Sequence, residues 1–366
     1  MLPKSEYLKT LDVFLADKDG SSVHSTYTLN VILEAIERTL GNALTKLRRN
    51  KINVDVLENM VYNASECGIV VLEDKFFYRI GSVAPNVVLR GKNVVGVDGG
   101  VFSLLLYPIR FVIARSGVFS LSMRSDRKFN VRGIWRVNFS ILEACGSVDD
   151  KIRRKVREVL VSVESRTVRE IATEYGGEID VVFWDGPMYT RRFFRETYAA
   201  LKALGDRAIM CVRVVKNPFA SKLARAAGID ALSDADIFSF FLDPNTRTAM
   251  FLYDGETVRN VPRDYRPVFM YIKTSQRVVF RYEFPYWMLE EYGSDAVLDI
   301  IYADLALGNG LSYMVGRADS LARFSDEEKR YIAFRIFTVL KNHGFSDFLT
   351  FNQRRWGRFL SKWDQK

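Results

Sequence analysis

Two short stretches of the chain place a carboxylate at the end of an apolar run. VVGVDGG spans Val94 to Gly100 and contains Asp98, and VVFWDGP brings Asp185 to the end of a second run. Removing a lone carboxylate from water costs several kcal/mol unless it is paired. Each aspartate is therefore either a turn residue, because Asp hydrogen-bonds its own backbone, or a ligand for a cation. Two such strand ends in one sheet favour the cation site.

A glutamate between these two runs can be judged by its helical position. Residues 149–175 read as a long amphipathic helix that Gly176 and Gly177 end. Glu164 lies in line with Leu160 and Val168, on the face that should pack on the sheet, whereas Glu170 has polar neighbours. Glu164 is the better candidate for a ligand. The alternative is a core-edge glutamate paired with an arginine.

Two further residues could join this chemistry. Lys216 follows the strand AIMCVRVV and could hold a phosphate or orient a water, although a strand-end lysine is also an ordinary surface residue. Asp319 lies in NGLSYMVGRADSLARFS, at the expected start of a helix, where an N-cap is the alternative.

The histidine and cysteine content limits the kind of metal. The histidines, His24 and His343, have no other candidate ligand near them in sequence, and Cys67, Cys145 and Cys211 form no C-x-x-C pair. A zinc site and a disulfide framework are therefore disfavoured, and a reducing cytosol is expected. If the protein is an enzyme, carboxylates, lysine and tyrosine must do the chemistry, which favours Mg²⁺ or Mn²⁺.

Charge and hydropathy indicate a globular protein with a polyanionic partner. Lysine and arginine number 53 against 44 acidic residues, a net charge of +9, and 48% of the chain is apolar. A charge of this sign suits nucleic acid, although proteins of thermophiles are also rich in charge. The apolar window 94–114 is interrupted by Asp98, Pro108 and Arg110, so we expect no membrane span. The N-terminus shows no signal-peptide pattern, and we expect a cytoplasmic protein.

The periodicity predicts an α/β fold. Helical spacing fills 29–61, and NVVGVDGG, VFSLLLYPI and RFVIARSGVFSLSM read as consecutive strands of an antiparallel meander. Helix and strand then alternate, which predicts a mixed sheet covered by helices. Hairpin strands follow within 248–285, and helices are expected at 296–307 and 326–341. We divide the chain into an N-terminal helical section (1–68), a core domain (69–345) and a basic aromatic tail (346–366).

Two stretches that mix basic and aromatic residues could bind a nucleic acid. Such mixtures suit stacking on unpaired bases, although each stretch could equally be a solvated loop or a helix with its rings in the core. The candidate DNA-binding residues are Arg124, Arg127, Lys128, Arg132, Trp135, Arg191, Arg192 and Arg195.

The ordered set of motifs resembles the NurA nuclease family, archaeal partners of the HerA hexameric ATPase. The resemblance covers about 94–324. GVDGG and FWDGP look like the family's two Asp-Gly motifs, VRVVKN like the segment with its lysine, and FRYEFP like its Arg-x-Glu-hydrophobic-Pro strand. NGLSYMVGRADSLARFS is similar to its late segment, with Leu311-Ser312 in place of Tyr-Pro and with Asp319 where the family has Ala-His or Ala-Asp. A tyrosine role is therefore not carried over, although Tyr313 could substitute.

This resemblance implies a ribonuclease H-like fold, with a mixed sheet flanked by helices and additional C-terminal strands and helices. Two Mn²⁺ or Mg²⁺ ions would be held by Asp98, Glu164, Asp185 and Asp319, with Lys216 assisting. Two ions about 3.5 to 4 Å apart can activate water and stabilise the leaving oxygen of a phosphodiester. The glycines after Asp98 are expected to let the phosphate backbone approach closely.

The resemblance also implies the activity and the partners. We expect a metal-dependent DNA nuclease, a 5′–3′ exonuclease that also cuts single strands internally. It would work as a homodimer with a HerA-type hexameric ATPase in DNA end resection and double-strand break repair.

Two other classes of protein remain open at this stage. An ATP-dependent phosphotransferase of the actin and sugar-kinase superfamily also ends its first strand in Asp-Gly-Gly to bind phosphate, but Gly308-Asn309-Gly310 is a poor match to its adenosine motif. A non-catalytic DNA-binding scaffold that stimulates an ATPase is the other alternative. The presence of every candidate carboxylate and of Lys216 argues against a decayed site.

Overall fold

The computed structural model describes residues 63–106, 109–123, 132–143, 149–189, 194–216, 218, 220–226, 232–275 and 278–345. Most of the expected N-terminal helical section and the whole tail, 346–366, lie outside these residues. Among the described residues, no helix is both long and apolar enough to cross a membrane.

Helices and strands alternate much as the periodicity predicted. The described strands are β1 (Ile69–Val71), β2 (Phe77–Arg79), β3 (Asn93–Leu106), β4 (Ile109–Ser122), β5 (Gly133–Glu143), β6 (Val181–Asp185), β7 (Met210–Val215), β8 (Thr246–Thr248), β9 (Phe251–Tyr253), β10 (Pro267–Lys273) and β11 (Val279–Pro285). The described helices are α1 (Pro85–Val88), α2 (Asp149–Tyr175), α3 (Phe194–Gly205), α4 (Lys222–Ala226), α5 (Asp234–Phe241), α6 (Trp287–Leu307), α7 (Tyr313–Ala322) and α8 (Asp326–Asn342).

The strands form one mixed sheet. Its order is β1-β9-β10-β11-β7-β6-β3-β4-β5, and β2 joins through β8, which pairs with β10. β3, β4 and β5 are antiparallel neighbours, whereas β6 and β7 run parallel to β3 on its other side. A three-stranded meander followed by a helix and then by parallel strands is the ribonuclease H-like arrangement. The expected fold class is confirmed.

The first strand differs from its prediction. NVVGVDGG and VFSLLL form a single strand, β3, whose pairing with β4 runs from Asn93 to Leu106. The prediction that the strand ends at Asp98 was wrong, because glycine was taken as punctuation. Pairing of β3 with β6 does stop at Val97, opposite Trp184. Asp98 therefore lies where the parallel part of the sheet ends, although its own strand continues.

Alternation along the strands divides the core into two layers. Val95, Val97 and Val182 pack with Val168 and Ile171 of α2, as the helical spacing predicted. The other face of the sheet packs on α6 and α7 through a larger cluster that includes Val94, Phe183, Val212, Ile301 and Met314. Since side chains alternate between the faces of a strand, Asp98 and Asp185 project on the α7 face.

A buried ion pair ties the residues before β3 to the rest of the sheet. Arg247 of β8 donates to both carboxylate oxygens of Glu73, at 2.6 and 2.7 Å. It also donates to the Tyr302 hydroxyl at 2.9 Å and stacks over the ring of Tyr78. This pair connects the segment between β1 and β2 with β8 and α6.

Candidate metal centre

The two strand aspartates meet at one lysine. Lys216 comes directly after β7, and its Nζ lies 2.5 Å from Oδ2 of Asp98 and 3.3 Å from Oδ1 of Asp185. Asp98 is buried, with 3% of its surface exposed, whereas the side chains of Lys216 and Asp185 are 34% and 28% exposed. Carboxylates that lie 87 residues apart in the chain thus converge in space, as the sequence predicted, and the group between them in this structure is the ammonium of Lys216.

Helix α7 brings the third aspartate to this end of the sheet. Asp319 lies inside α7, not at its start, so the N-cap alternative is wrong. Burial is the main cause of the raised pKa of Asp98, and the charge of Asp319 adds to it. Against the effect of burial, Asp319 also adds to the raised pKa of Lys216, after Asp98 and Asp185. In this structure Asp319 accepts a hydrogen bond of 2.7 Å from Arg323, one turn further along the helix.

Glycines explain how α7 comes so close. A Cβ placed on Gly96, Gly100 or Gly117 would lie under 3.0 Å from backbone atoms of α7. The helix therefore packs with its own backbone against β3 and β4, which only glycine permits. The expectation that Gly100 leaves space for a phosphate backbone was wrong, because α7 fills that space.

Glu164 approaches from the opposite face of the sheet. It is buried on α2, with 5% exposed, and a Cβ on Gly99 would overlap its carboxylate. Its Oε2 accepts a hydrogen bond of 3.1 Å from Nε1 of Trp184. Glu170, in contrast, forms an ion pair with Arg136 of β5. The structure thus places Glu164, and not Glu170, against the strand that carries Asp98.

The electrostatics show an excess of negative charge. Burial raises the pKa of Asp98 to about 7, with Asp185 adding to the shift and Lys216 opposing it. Burial, and then the charge of Asp98, raise the pKa of Glu164 to about 8. Although burial opposes it, the three aspartates raise the pKa of Lys216, which stays protonated. Burial and the repulsion between the carboxylates together therefore outweigh the attraction of the nearby cations.

The carboxylates of this site are suitable ligands for a hard divalent cation, although they are not yet arranged in the geometry that would bind one. Among the described residues, no three His, Cys, Asp or Glu side chains are placed so that they could hold a metal as they stand. Lys216 lies between two of the aspartates, and Asp319 is paired with Arg323. The donors are all carboxylate oxygens, and Oδ1 of Asp185 is buried, with the Lys216 ammonium 3.3 Å away and no hydrogen bond. Such a set suits Mg²⁺ or Mn²⁺ once Asp319 exchanges its arginine for the ion.

The geometry also bears on the phosphotransferase alternative. A phosphate-binding Asp-Gly-Gly turn needs accessible glycine backbone. Here Gly99 is covered by Glu164 and Leu160, and Gly100 is covered by Ala322. The strand continues through both glycines instead of turning. This geometry does not fit a phosphate-binding turn.

Few of the predicted DNA-binding residues can be compared with the structure. Arg124, Arg127, Lys128, Arg191 and Arg192 lie outside the described residues. Arg195 is exposed at the start of α3. Arg132 is exposed and lies over the ring of Phe119, and Arg317 of α7 lies over the same ring. Phe119 is two residues along β4 from Gly117, the residue that pairs with Asp98. Trp135, in contrast, packs its ring on Tyr175.

Sequence reasoning missed two buried residues next to the candidate centre. Asp304 of α6 accepts the backbone N–H of Met314 at 2.8 Å, so it fixes the start of α7, and burial raises its pKa to about 7. Arg213 of β7 is 2% exposed and stacks over Trp184. Each is a charged residue within an apolar run, DIIYADLAL and IMCVRVV, and that signal could have found them. Tyr313 packs edge-on against Phe119, and no described contact joins its side chain to Asp98, Asp185 or Asp319.

Comparisons with known proteins agree with this geometry. Residues 92–324 match the family model described as the NurA domain. The crystal structure of the NurA nuclease from Sulfolobus solfataricus is similar, with a TM-score of 0.55 at 12% identity, over 86% of this chain and 97% of that one. A crystal structure of NurA with manganese has a TM-score of 0.51 at 10% identity, over 84% and 98%.

A search of curated proteins gave no match. The family model covers well over half of the chain, and the similar crystal structures share its fold. The chain belongs to the NurA family.

Proposed function

We propose that the protein is a metal-dependent DNA nuclease that hydrolyses phosphodiester bonds at the Asp98, Asp185 and Asp319 cluster. The observation that carries this proposal is the convergence of Asp98 and Asp185 on the ammonium of Lys216, with the charge of Asp319 acting on Asp98 and on Lys216. Membership of the NurA family supports the same reaction, and a similar family structure contains manganese.

The residues have distinct roles in this proposal. Asp98, Asp185 and Asp319 would hold Mn²⁺ or Mg²⁺ on the α7 face, and Glu164 would approach from the α2 side of β3. The bound ions supply the charge that activates a water and stabilises the leaving oxygen. Lys216 keeps a permanent positive charge between two carboxylates, which suits it to bind a non-bridging phosphate oxygen. Burial of Asp98 and Glu164 limits the competing hydration of both groups.

We further propose that the nuclease degrades DNA from ends in the 5′–3′ direction and cuts single strands internally. Its partners would be a second copy of the chain and a HerA-type hexameric ATPase in end resection. Family membership supports these finer assignments. Arg132, Arg195 and the residues at 124, 127, 128, 191 and 192 would bind the DNA backbone, and the cytoplasm would be the location.

Cleavage of end-labelled DNA in Mn²⁺ tests the proposal. Loss of a residue that merely supports a ligand costs about 10- to 100-fold in activity, so Asp185→Asn should cost at least about 100-fold. Chelator should abolish cleavage. Asp254→Asn is the matched control, since that carboxylate pairs with Arg266 after β9, towards the other side of the sheet. Its rate should equal that of the wild type.

Two outcomes would overturn the proposal. Cleavage that survives both chelator and Asp185→Asn would place the chemistry elsewhere. Wild-type protein that binds DNA but never cleaves it, in either metal, would favour the non-catalytic scaffold instead. Time courses on 5′- and 3′-labelled substrates in the same assay read out the direction of degradation.

A further inference from the structure

A row of buried polar side chains crosses the sheet beside the candidate centre, on the α2 face. Trp184 of β6 lies opposite Arg213 of β7, and Arg213 lies opposite Glu283 of β11. Arg281, two residues before Glu283, forms an ion pair with it at 2.6 Å and lies opposite Tyr271 of β10. We call these five residues the buried polar row. Arg213 and Glu283 are each only 2% exposed.

Two members of the row hold the turn that follows Asp185. Arg213 donates from Nε to the carbonyl of Gly186 at 2.8 Å and from Nη2 to the carbonyl of Pro187 at 3.0 Å. Oε2 of Glu283 accepts the backbone N–H of Met188 at 2.6 Å. The turn begins at Asp185 itself, and Gly186 has a φ of 82°. Three hydrogen bonds between charged side chains and residues 186–188 therefore fix the backbone that follows this aspartate.

The same row also reaches the helix glutamate. The guanidinium of Arg213 stacks 3.5 Å above the ring of Trp184, whose Nε1 donates to Glu164. Arg213 thus touches the backbone beside Asp185 and the indole that orients Glu164. Its Nη1 has no hydrogen-bond partner among the described residues. The two Arg213 nitrogens that do donate hydrogen bonds, Nε and Nη2, both bind carbonyls of the turn after Asp185.

Stability alone does not account for these charges. A buried ion pair is often no more stabilising than apolar residues of similar volume, because desolvation offsets the attraction. Burial lowers the pKa of Arg213, since the loss of hydration opposes its charge. Side chains that support metal ligands, in contrast, commonly decide metal affinity. The contacts of the row with two separate candidate ligands fit that second role.

We propose that Arg213 and Glu283 are positioning residues, which hold Asp185 through its turn and Glu164 through Trp184 in the arrangement that binds the cation. This inference rests on the proposed function. It gives the Arg-x-Glu motif of β11 a role in metal affinity. Glu283 binds the turn after Asp185, and Arg281 neutralises the charge of Glu283.

The chain offers a matched control for this test. Arg247 is also a buried arginine that is ion-paired to a glutamate and stacked on an aromatic ring, Tyr78. Its strand pairs with β2 and β10, and not with the strands that carry Asp98 and Asp185. Arg213→Lys and Arg247→Lys make the same chemical change in two similar environments. Glu283→Gln, which keeps the size of the side chain, serves if Arg213→Lys fails to fold.

The experiment measures Mn²⁺ binding to full-length protein by calorimetry in the absence of DNA. Arg213→Lys and Glu283→Gln should weaken Mn²⁺ binding by about 10-fold or more. The Mn²⁺ concentration for half-maximal cleavage should rise in parallel, while DNA affinity in chelator stays at the wild-type value. Hydrogen exchange of the 186–189 peptide should become faster in both variants. Arg247→Lys should lower the melting temperature without changing Mn²⁺ affinity.

Other results would contradict the inference in distinguishable ways. Mn²⁺ affinity within twofold of wild type in both folded variants would overturn the positioning role and leave the proposed nuclease intact. An equal loss in Arg247→Lys would show a general effect of stability and would overturn it as well. Wild-type protein that neither binds Mn²⁺ nor cleaves DNA would overturn both proposals together.

Discussion

Carboxylates gathered at one end of a sheet repel one another and lose hydration, and the raised pKa values record both effects. Asp98 and Glu164 have pKa values of about 7 and 8, against ordinary values of 3.8 and 4.5. Near neutral pH both groups therefore bind protons that a divalent cation must displace. Metal affinity should fall as the pH falls through this range.

The stability of the metal-free protein should show the same effect at Glu164. Because its pKa is raised on folding, the stability that Glu164 contributes is fully present below pH 4.5 and is lost as the pH rises through about 8. Glu164→Gln removes the charge. In chelator at pH 9, the free energy of unfolding of this variant, measured by urea unfolding, should exceed that of wild type by at least about 1 kcal/mol. Near pH 4.5 the two proteins should be equally stable.

Glu170→Gln is the control for that measurement, since Glu170 lies on the same helix but pairs with Arg136 near the surface. It should follow the wild-type curve, because such a pair contributes at most about 1 kcal/mol. If Glu164→Gln were no more stable than wild type at pH 9, ionisation of Glu164 would not destabilise the folded protein, and the prediction would be wrong.

Individual site residues were predictable where local spacing determines their surroundings. The 3.6-residue period separated Glu164 from Glu170, and strand ends located Asp185 and Lys216. Arg213 was missed as a functional candidate, and Glu283 was noted only as part of FRYEFP, without a role. Their proposed role depends on cross-strand neighbours that no local pattern specifies.

At the scale of elements, the close packing of α7 on β3 decides where Asp319 lies. Strand and helix were both visible as apolar patterns, but α7 begins more than 200 residues after β3 starts. Nothing in GVDGG states which helix will cover it. The glycines were therefore read as the end of a strand and as space for a ligand, when they are the contact surface for a helix.

Alanine at one of these glycines should displace the helix. A Cβ at Gly100 would overlap backbone atoms of Ala322, so Gly100→Ala should destabilise the protein by about 1–3 kcal/mol and lower cleavage. Gly316→Ala, on the exposed side of the same α7, meets no atom within 4 Å and should be neutral or stabilising by up to about 1 kcal/mol. Urea unfolding of both variants measures the difference. Equal stability of the two would refute the packing argument.

At the scale of the whole molecule, net charge should govern DNA affinity. The chain carries +9, and proteins that neutralise phosphates lose affinity steeply between about 50 and 200 mM salt. Arg132→Gln should reduce the slope of log affinity against log salt by about one, because Arg132 is exposed on the α7 side of β4.

Arg207→Gln is the matched control for that slope. Arg207 precedes the start of β7, at the end of the strand opposite to Lys216. Fluorescence anisotropy at several salt concentrations should give it the wild-type slope. A slope that Arg132→Gln leaves unchanged would remove this residue from the DNA-binding surface.

The fold class could be predicted from the order of helices and strands, but the strand order of the sheet could not. Hairpins are local, whereas the pairing of β11 with β7 and of β1 with β9 joins distant parts of the chain. β5 was missed as a strand because its apolar positions, Val137, Phe139 and Ile141, are exposed, and its mixed composition resembles a loop.

The ion pair between Glu73 and Arg247 also limits where an independently stable fragment can begin. Glu73 precedes the family match, which starts at residue 92, yet it neutralises a guanidinium enclosed by the matched region. A protein trimmed to residue 92 would keep this cation and lose its counter-ion, along with the two outer strands β1 and β2. We therefore expect the autonomous folding unit to begin before the first residue of the family match.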